Sequence, residues 1–456
     1  MSPRFMISLL GLFLTAFCRG QCEAQAQNIP KEVVIFATGS NGHPPLARSN
    51  MTSICSDITE SFSCKLIFLS GASGSFTPAT QNLTVFQFIQ KLDAISGKGY
   101  TWTVVGDKTL GLRDRGARST LVADASSGST FAYERDFDPF SDDNTACSSL
   151  SPCPFGRSVI KVQRNAPSHL SALVRESDPS QSTVRFSEMG SGVTVFVVDG
   201  QVAQNDEFNE LTSPRTRISK LSFISPTAKD TQMFACSGEH GTHVASLVTG
   251  LSYGPAKNAT VVSAAVQPGC GSSGLISDLA AGLSWVLDQL DALKGAPAVV
   301  TMSLQLSKSD PSSIIIESLV REMLGLGAIV VAASGNYASD ACAFSPAGID
   351  GVITVGALDG NIPWSDSNYG ECVDVWAPGV SITGASPDCF RCTATFTGTS
   401  QAAPLVAGLV AMQLEVDPTT SPDDMKKWLI ENAVTLDDVG ADATYKSARF
   451  QRNWFQ

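Results

Sequence analysis

Val193-Thr-Val-Phe-Val-Val-Asp199 is six consecutive β-branched or aromatic residues closed by a carboxylate. A short apolar run without polar alternation reads as a strand buried on both faces, here residues 192–198. Working outward, residues 260–266, 298–302, 328–333 and 352–357 repeat that texture. Helical apolar spacing fills residues 277–293 and 311–326, and the last helices are expected at 399–416 and 421–432. Apolar strands alternating with helices predict an α/β fold, a parallel sheet covered by helices on both faces. Such sheets place their chemistry at the carboxyl ends of the strands, which is where Asp199 falls. A lone acid there is equally a turn or cap residue.

Three further residues stand out. Thr397-Gly-Thr-Ser-Gln-Ala-Ala-Pro404 reads as a glycine turn delivering Ser400 to the first turn of a helix, where unpaired N–H groups and the positive dipole end favour an oxyanion. By itself Ser400 is an N-cap. Ser237-Gly-Glu-His240-Gly-Thr-His243 sits ahead of an apolar helical run and holds two of the four histidines; His43 lies in a Gly-Pro loop and His169 in a polar linker. The spacing of three, with no glutamate between, does not fit the helical zinc-peptidase pattern. Asn336 closes Val330-Val-Ala-Ala-Ser-Gly-Asn336, where a side-chain amide can face an oxyanion or merely form a turn.

In the order Asp199, His240, Asn336, Ser400 on one sheet, these residues resemble the subtilisin-type serine peptidases. His-Gly-Thr-His-Val-Ala-Ser, Ser-Gly-Asn and Gly-Thr-Ser-Gln-Ala-Ala-Pro carry the resemblance over about residues 190–435. Asp340-Ala-Cys-Ala-Phe-Ser-Pro is similar to the proteinase K branch, and residues 352–408 to the type-nine proprotein convertases of the subtilisin/kexin kind. The resemblance implies a serine endopeptidase in which Ser400 is the nucleophile, His240 the base, Asp199 its orienting acid and Asn336 an oxyanion donor, with no cofactor needed for catalysis. It implies a peptide groove formed by Ser273, Gly274, Ser303, Leu304, Gln305, Ser334 and Gly335, and a structural calcium with Asp374 as side-chain ligand. It also implies disulfides Cys236–Cys270, Cys342–Cys372 and Cys389–Cys392, and a packing role for His243.

Two departures stand out. Gly200-Gln201 follows the acid where the family has Ser or Thr and then Gly. Ser303-Leu-Gln-Leu306 replaces Ser-Leu-Gly-Gly, so Gln305 and Leu306 are expected to narrow the groove or reshape the wall of the specificity pocket.

The chain has 456 residues, is 43% hydrophobic and carries a net charge of -12 with no basic run, which disfavours nucleic acid and anionic membrane as partners. Residues 1–26, with Arg4, an apolar run from Phe5 to Phe17 and Ala24 and Ala26, have the layout of a secretory signal peptide. No segment suits a membrane span, so a secreted protein is expected. Export turns the cysteines into disulfide formers, adding Cys55–Cys64 and Cys147–Cys153 as local pairs, and makes Asn50, Asn82 and Asn258 glycosylation sequons. Residues 27–164 read as a small α+β unit, with strands near 32–38, 65–70 and 100–105, a helix over 84–95 and a linker at 136–154. By the resemblance it is a propeptide that inhibits the peptidase domain, residues 165–456, until self-cleavage near 162–165. Partners are then a protein or peptide substrate and the chain's own propeptide. A rival expectation is a self-cleaving, propeptide-bound protein that docks to a receptor.

Overall fold

Every residue of Ala298–Met302 and of Ile329–Ala333 is buried, as apolar runs flanked by helical sequence require. They lie at the centre of a largely parallel sheet in a computed structural model. It describes residues 161–173, 183–211, 213–224, 233–267 and 273–436, with strands at 32–39, 62–68, 71–76, 100–106, 109–111, 140–142 and 445–450, and Leu92. The sheet strands are β1 (Thr194–Asp199), β2 (Ile218–Ile224), β3 (Thr260–Ala265), β4 (Ala298–Met302), β5 (Ile329–Ala333), β6 (Ile353–Asp359), β7 (Val375–Pro378), β8 (Ala433–Leu436) and β9 (Tyr445–Phe450). Their order is β2-β3-β1-β4-β5-β6-β7-β9-β8, parallel except for the β8–β9 pair, and a tenth strand, Ile362–Pro363, pairs antiparallel with β6 off this path.

The helices are α1 (Met233–Thr249), α2 (Ile276–Ala292), α3 (Ser313–Gly325), α4 (Thr399–Val416) and α5 (Pro422–Asn432). Helix α4 is buried from Thr399 through Leu414 and packs on β4, β5, β6, β7 and α1. A helix apolar around its whole circumference belongs inside a core. Gly408 permits the closest approach, since a Cβ there would run into the Pro255 ring and the Val248 carbonyl.

The chain divides into two compact units, Met1–Thr109 with Leu275–Ser284, and Leu110–Gly274 with Trp285–Gln456. In the first, an antiparallel sheet has the order Phe62–Phe68, Gly71–Phe76, Glu32–Gly39, Tyr100–Gly106. The helix expected over 84–95 lies outside the described residues except for Leu92. In the second, Lys161–Gln163 is the middle strand between Phe140–Asp142 and Val184–Phe186.

Strands 298–302 and 329–333 match expectation to within a residue; β2 was not foreseen. It is the sheet edge and exposes most of its side chains, so it carries no continuous apolar signal. Disulfides Cys342–Cys372 and Cys389–Cys392 form as expected. The pairings expected at Cys236–Cys270, Cys55–Cys64 and Cys147–Cys153 rest on side chains outside the described residues. His169, expected in a polar linker, is buried in the short helix Ser168–Leu173, with Nε2 2.9 Å from the Tyr253 carbonyl. No helix among the described residues is long and apolar enough to cross a membrane.

Candidate active site

Strand β1 ends on Asp199, which is fully buried and accepts a hydrogen bond from its neighbour Gly200 N–H at 2.6 Å. With Gly200-Gln201 following the acid, this backbone donor falls on the oxygen that faces His240, and Oδ2 is buried with no hydrogen-bond partner among the described residues. Helix α1 begins well before the expected start, so His240 lies within it. A Cβ at Gly241 would collide with the Gly200 carbonyl, and its absence lets the helix press onto the turn after Asp199. The two side chains thereby meet, His240 Nδ1 standing 2.7 Å from Asp199 Oδ1. Because a carboxylate only accepts, Nδ1 carries the proton and Nε2 is the basic nitrogen.

His243, one turn further, takes no part. It is fully buried, edge-on to Phe396 at 4.7 Å, with Nε2 donating to the Ile382 carbonyl at 3.1 Å. Burial, and secondarily the charge of His240, push its pKa down to about 3.

Ser400 stands in the first turn of α4 and is 5% exposed. Asn336 follows β5, and its side-chain oxygen accepts from both Thr399 N–H at 2.9 Å and Thr399 Oγ1 at 2.8 Å. Two donors on one side fix the amide's orientation. Its NH₂ is then left facing the Gly398 turn, where a Cβ on Gly398 would stand 3.0 Å from Nδ2. That turn leads directly into Ser400, the second residue of helix α4. A serine hydroxyl, an acid-oriented imidazole and amide donors are the group types that acyl transfer uses.

Of the residues expected in the groove, Ser303, Leu304 and Ser334 turn their side chains away from it. Ser303 Oγ donates to the Ser400 carbonyl at 3.0 Å, Ser334 Oγ to the Asn368 carbonyl at 3.3 Å, and Leu304 is core. They can offer a peptide only backbone. Ser273 and Gly274 lie in the short strand Ser273–Leu275, with side chains outside the described residues. Gln305 faces Gly335, which has φ +109°, and a Cβ at Gly335 would collide with Gln305 Oε1. That oxygen is buried and accepts no hydrogen bond from the described residues. Leu306, expected alongside it, pairs with Ser345 in a two-stranded ribbon.

Asp374 does not fit the expected calcium. Its Oδ1 is 3.0 Å from Lys426 Nζ and its Oδ2 accepts from Thr354 N–H at 2.8 Å, so a cation already occupies its open side.

Two residues escaped the sequence reading. Thr399 orients Asn336 and accepts from Gly335 N–H at 3.1 Å. Asn368, fully buried, receives Tyr337 and Ser339 N–H on Oδ1 and donates to the Ser334 carbonyl, tying down the loop on both sides of Asn336. Thr399 lay inside the serine motif and was legible there; Asn368 had no local signal, because its partners are about thirty residues away.

Residues 190–448 match the Subtilase family. The chain is 36% identical over 277 residues to an extracellular serine proteinase of a Thermus species, covering 60% of this chain and 62% of that one. It is 37% identical over 196 residues to rat proprotein convertase subtilisin/kexin type 9, covering 42% and 28%. A crystal structure of a cold adapted subtilisin-like serine proteinase superposes with TM-score 0.53 at 30% identity, over 63% of this chain and all of that one. The chain spans less than two thirds of the length of these curated relatives. With its parallel sheet and the Asp199–His240 contact beside the Ser400 turn, the chain belongs to the Subtilase family.

Proposed function

We propose that this chain is a serine endopeptidase. The observation that carries the reading is the 2.7 Å contact of His240 Nδ1 with Asp199 Oδ1, on the same sheet end as Ser400 and the oriented Asn336 amide. Ser400 Oγ attacks the peptide carbonyl while His240 Nε2 takes its proton; the oxyanion is held by Asn336 Nδ2 and the Ser400 N–H. The imidazolium, stabilised by Asp199, then protonates the departing amine, and water repeats the sequence on the acyl-enzyme. The residue bearing the scissile carbonyl lies beside Gly335, next to Asn336, so Gln305 limits it to a small side chain.

The reading extends to a secreted, self-processing zymogen whose N-terminal unit is the propeptide. We place the cut before Lys161 instead of at 162–165. Lys161–Gln163 pairs with Val184–Phe186, which lies C-terminal to either cut, and Gln163, buried, donates from Nε2 to the Ser252 carbonyl at 2.9 Å. Those interactions belong to the mature body.

The test is expression of the full chain and of Ser400→Ala, with N-terminal sequencing, fluorophosphonate labelling and turnover of a peptide library. Two fragments, label and turnover in the natural chain alone support the reading; two fragments in Ser400→Ala exclude self-processing. The match to the type 9 convertase favours a second reading, a self-cleaving protein that keeps its propeptide and binds a receptor. Label with the propeptide co-purifying and no turnover would select it.

A further inference from the structure

Helix α5 carries one lysine inward. Ser421 caps the helix, its Oγ accepting from Asp424 N–H at 3.2 Å, Pro422 opens it, and Met425 and Leu429 are fully buried. That pinning delivers Lys426, adjacent to Met425, to a point between two sheet strands. There Nζ lies 3.0 Å from Asp374 Oδ1 and donates to the Val352 carbonyl at 2.9 Å. Asp374, at the mouth of β7, has an 8% exposed side chain and is tied to β6 by Thr354 N–H on Oδ2 and by its own N–H on the Thr354 carbonyl.

One carboxylate oxygen and one main-chain carbonyl converging on a cation are the oxygen types that calcium takes. We infer that the Lys426 ammonium is a built-in replacement for the structural calcium expected at Asp374, so that this corner of the sheet needs no free metal ion. A tethered cation differs from a bound one in a measurable way. Stability owed to an ion falls with its free concentration, whereas a charge on the chain is present at any concentration. The inference does not depend on what Ser400 does.

The experiment measures the melting temperature of the full chain in excess EDTA and in millimolar CaCl₂, for the natural sequence, Asp374→Asn, Lys426→Met and the Lys426→Met/Asp374→Asn double variant. The quantity read is the rise in melting temperature caused by calcium. It should be equal in the natural chain and in Asp374→Asn, because Asp374 contributes no calcium affinity while Lys426 is present. It should be larger in Lys426→Met than in the double variant, because removing the ammonium leaves a carboxylate and a carbonyl for calcium to fill. A rise in the natural chain that Asp374→Asn diminishes overturns the inference, since Asp374 then takes calcium despite Lys426. Equal rises in Lys426→Met and the double variant also overturn it, since the site is then not cation-equivalent. If the Lys426 variants do not fold, the comparison of the natural chain with Asp374→Asn decides alone.

Discussion

Replacing Gln305 by glycine should change which peptides the protein cuts more than whether it cuts. The Gln305 carboxamide occupies the space over Gly335, so close that Gly335 has no room for a Cβ. Gln305→Gly removes every side-chain atom from that space while leaving Ser303 bonded to the Ser400 carbonyl and Thr399 bonded to Asn336. A leucine or phenylalanine preceding the scissile bond can then be buried there, worth roughly 1.5–3 kcal/mol over alanine. That corresponds to a factor of about 10–150 in kcat/KM. The assay is competitive hydrolysis of peptides differing only in the residue before the scissile bond, for the natural chain, Gln305→Ala and Gln305→Gly. Preference should move from alanine or serine toward leucine and phenylalanine in that order of variants, with fluorophosphonate labelling of Ser400 retained. A phenylalanine-to-alanine ratio within about twofold of the natural value would refute the placement of Gln305 in the groove.

Asn336→Ala should lower kcat about 10²–10³-fold with KM little changed, the loss that subtilisin itself shows without its oxyanion asparagine. Thr399→Val should reproduce part of that loss by freeing the Asn336 amide, and Thr399→Ser should restore it; equal kcat in all three would show that Thr399 does not orient Asn336. The protein should be acid-labile. His243 and His169 are held near pKa values of about 3 and about 4 by burial, against 6.5 when unfolded. Between those limits the unfolded chain binds protons that the folded chain does not, so stability rises with pH there and is lost as pH falls below 6.5. At about 1.4 kcal/mol per pH unit per group, acidification by two units costs at most about 5 kcal/mol, comparable to the whole stability of a small domain. Urea titrations at pH 7 and 5 should show the drop, and His169→Gln with His243→Gln should flatten it; a pH-independent midpoint would contradict the burial of both rings.

The amino-acid sequence alone determined that β1, β3, β4, β5 and β6 are strands of one parallel sheet, because burial on both faces demands unbroken apolar runs. It also determined that Asp199, His240, Asn336 and Ser400 are the residues to examine, since Asp199 and Asn336 close apolar strands and the His240 and Ser400 motifs complete the subtilisin-type order. Edge strand β2 was hidden because its exposed residues look like a loop. Asn368 was hidden because a buried amide earns its place through partners distant in the chain. Only the tertiary structure decided that the Ser303 and Ser334 hydroxyls face inward while Gln305 faces Gly335, since side-chain direction follows from packing between segments and not from a motif. Asp374 is the clearest case. Its motif implies a metal, and whether its carboxylate is open to one is settled by Lys426, fifty-two residues later on a helix that only the fold brings alongside.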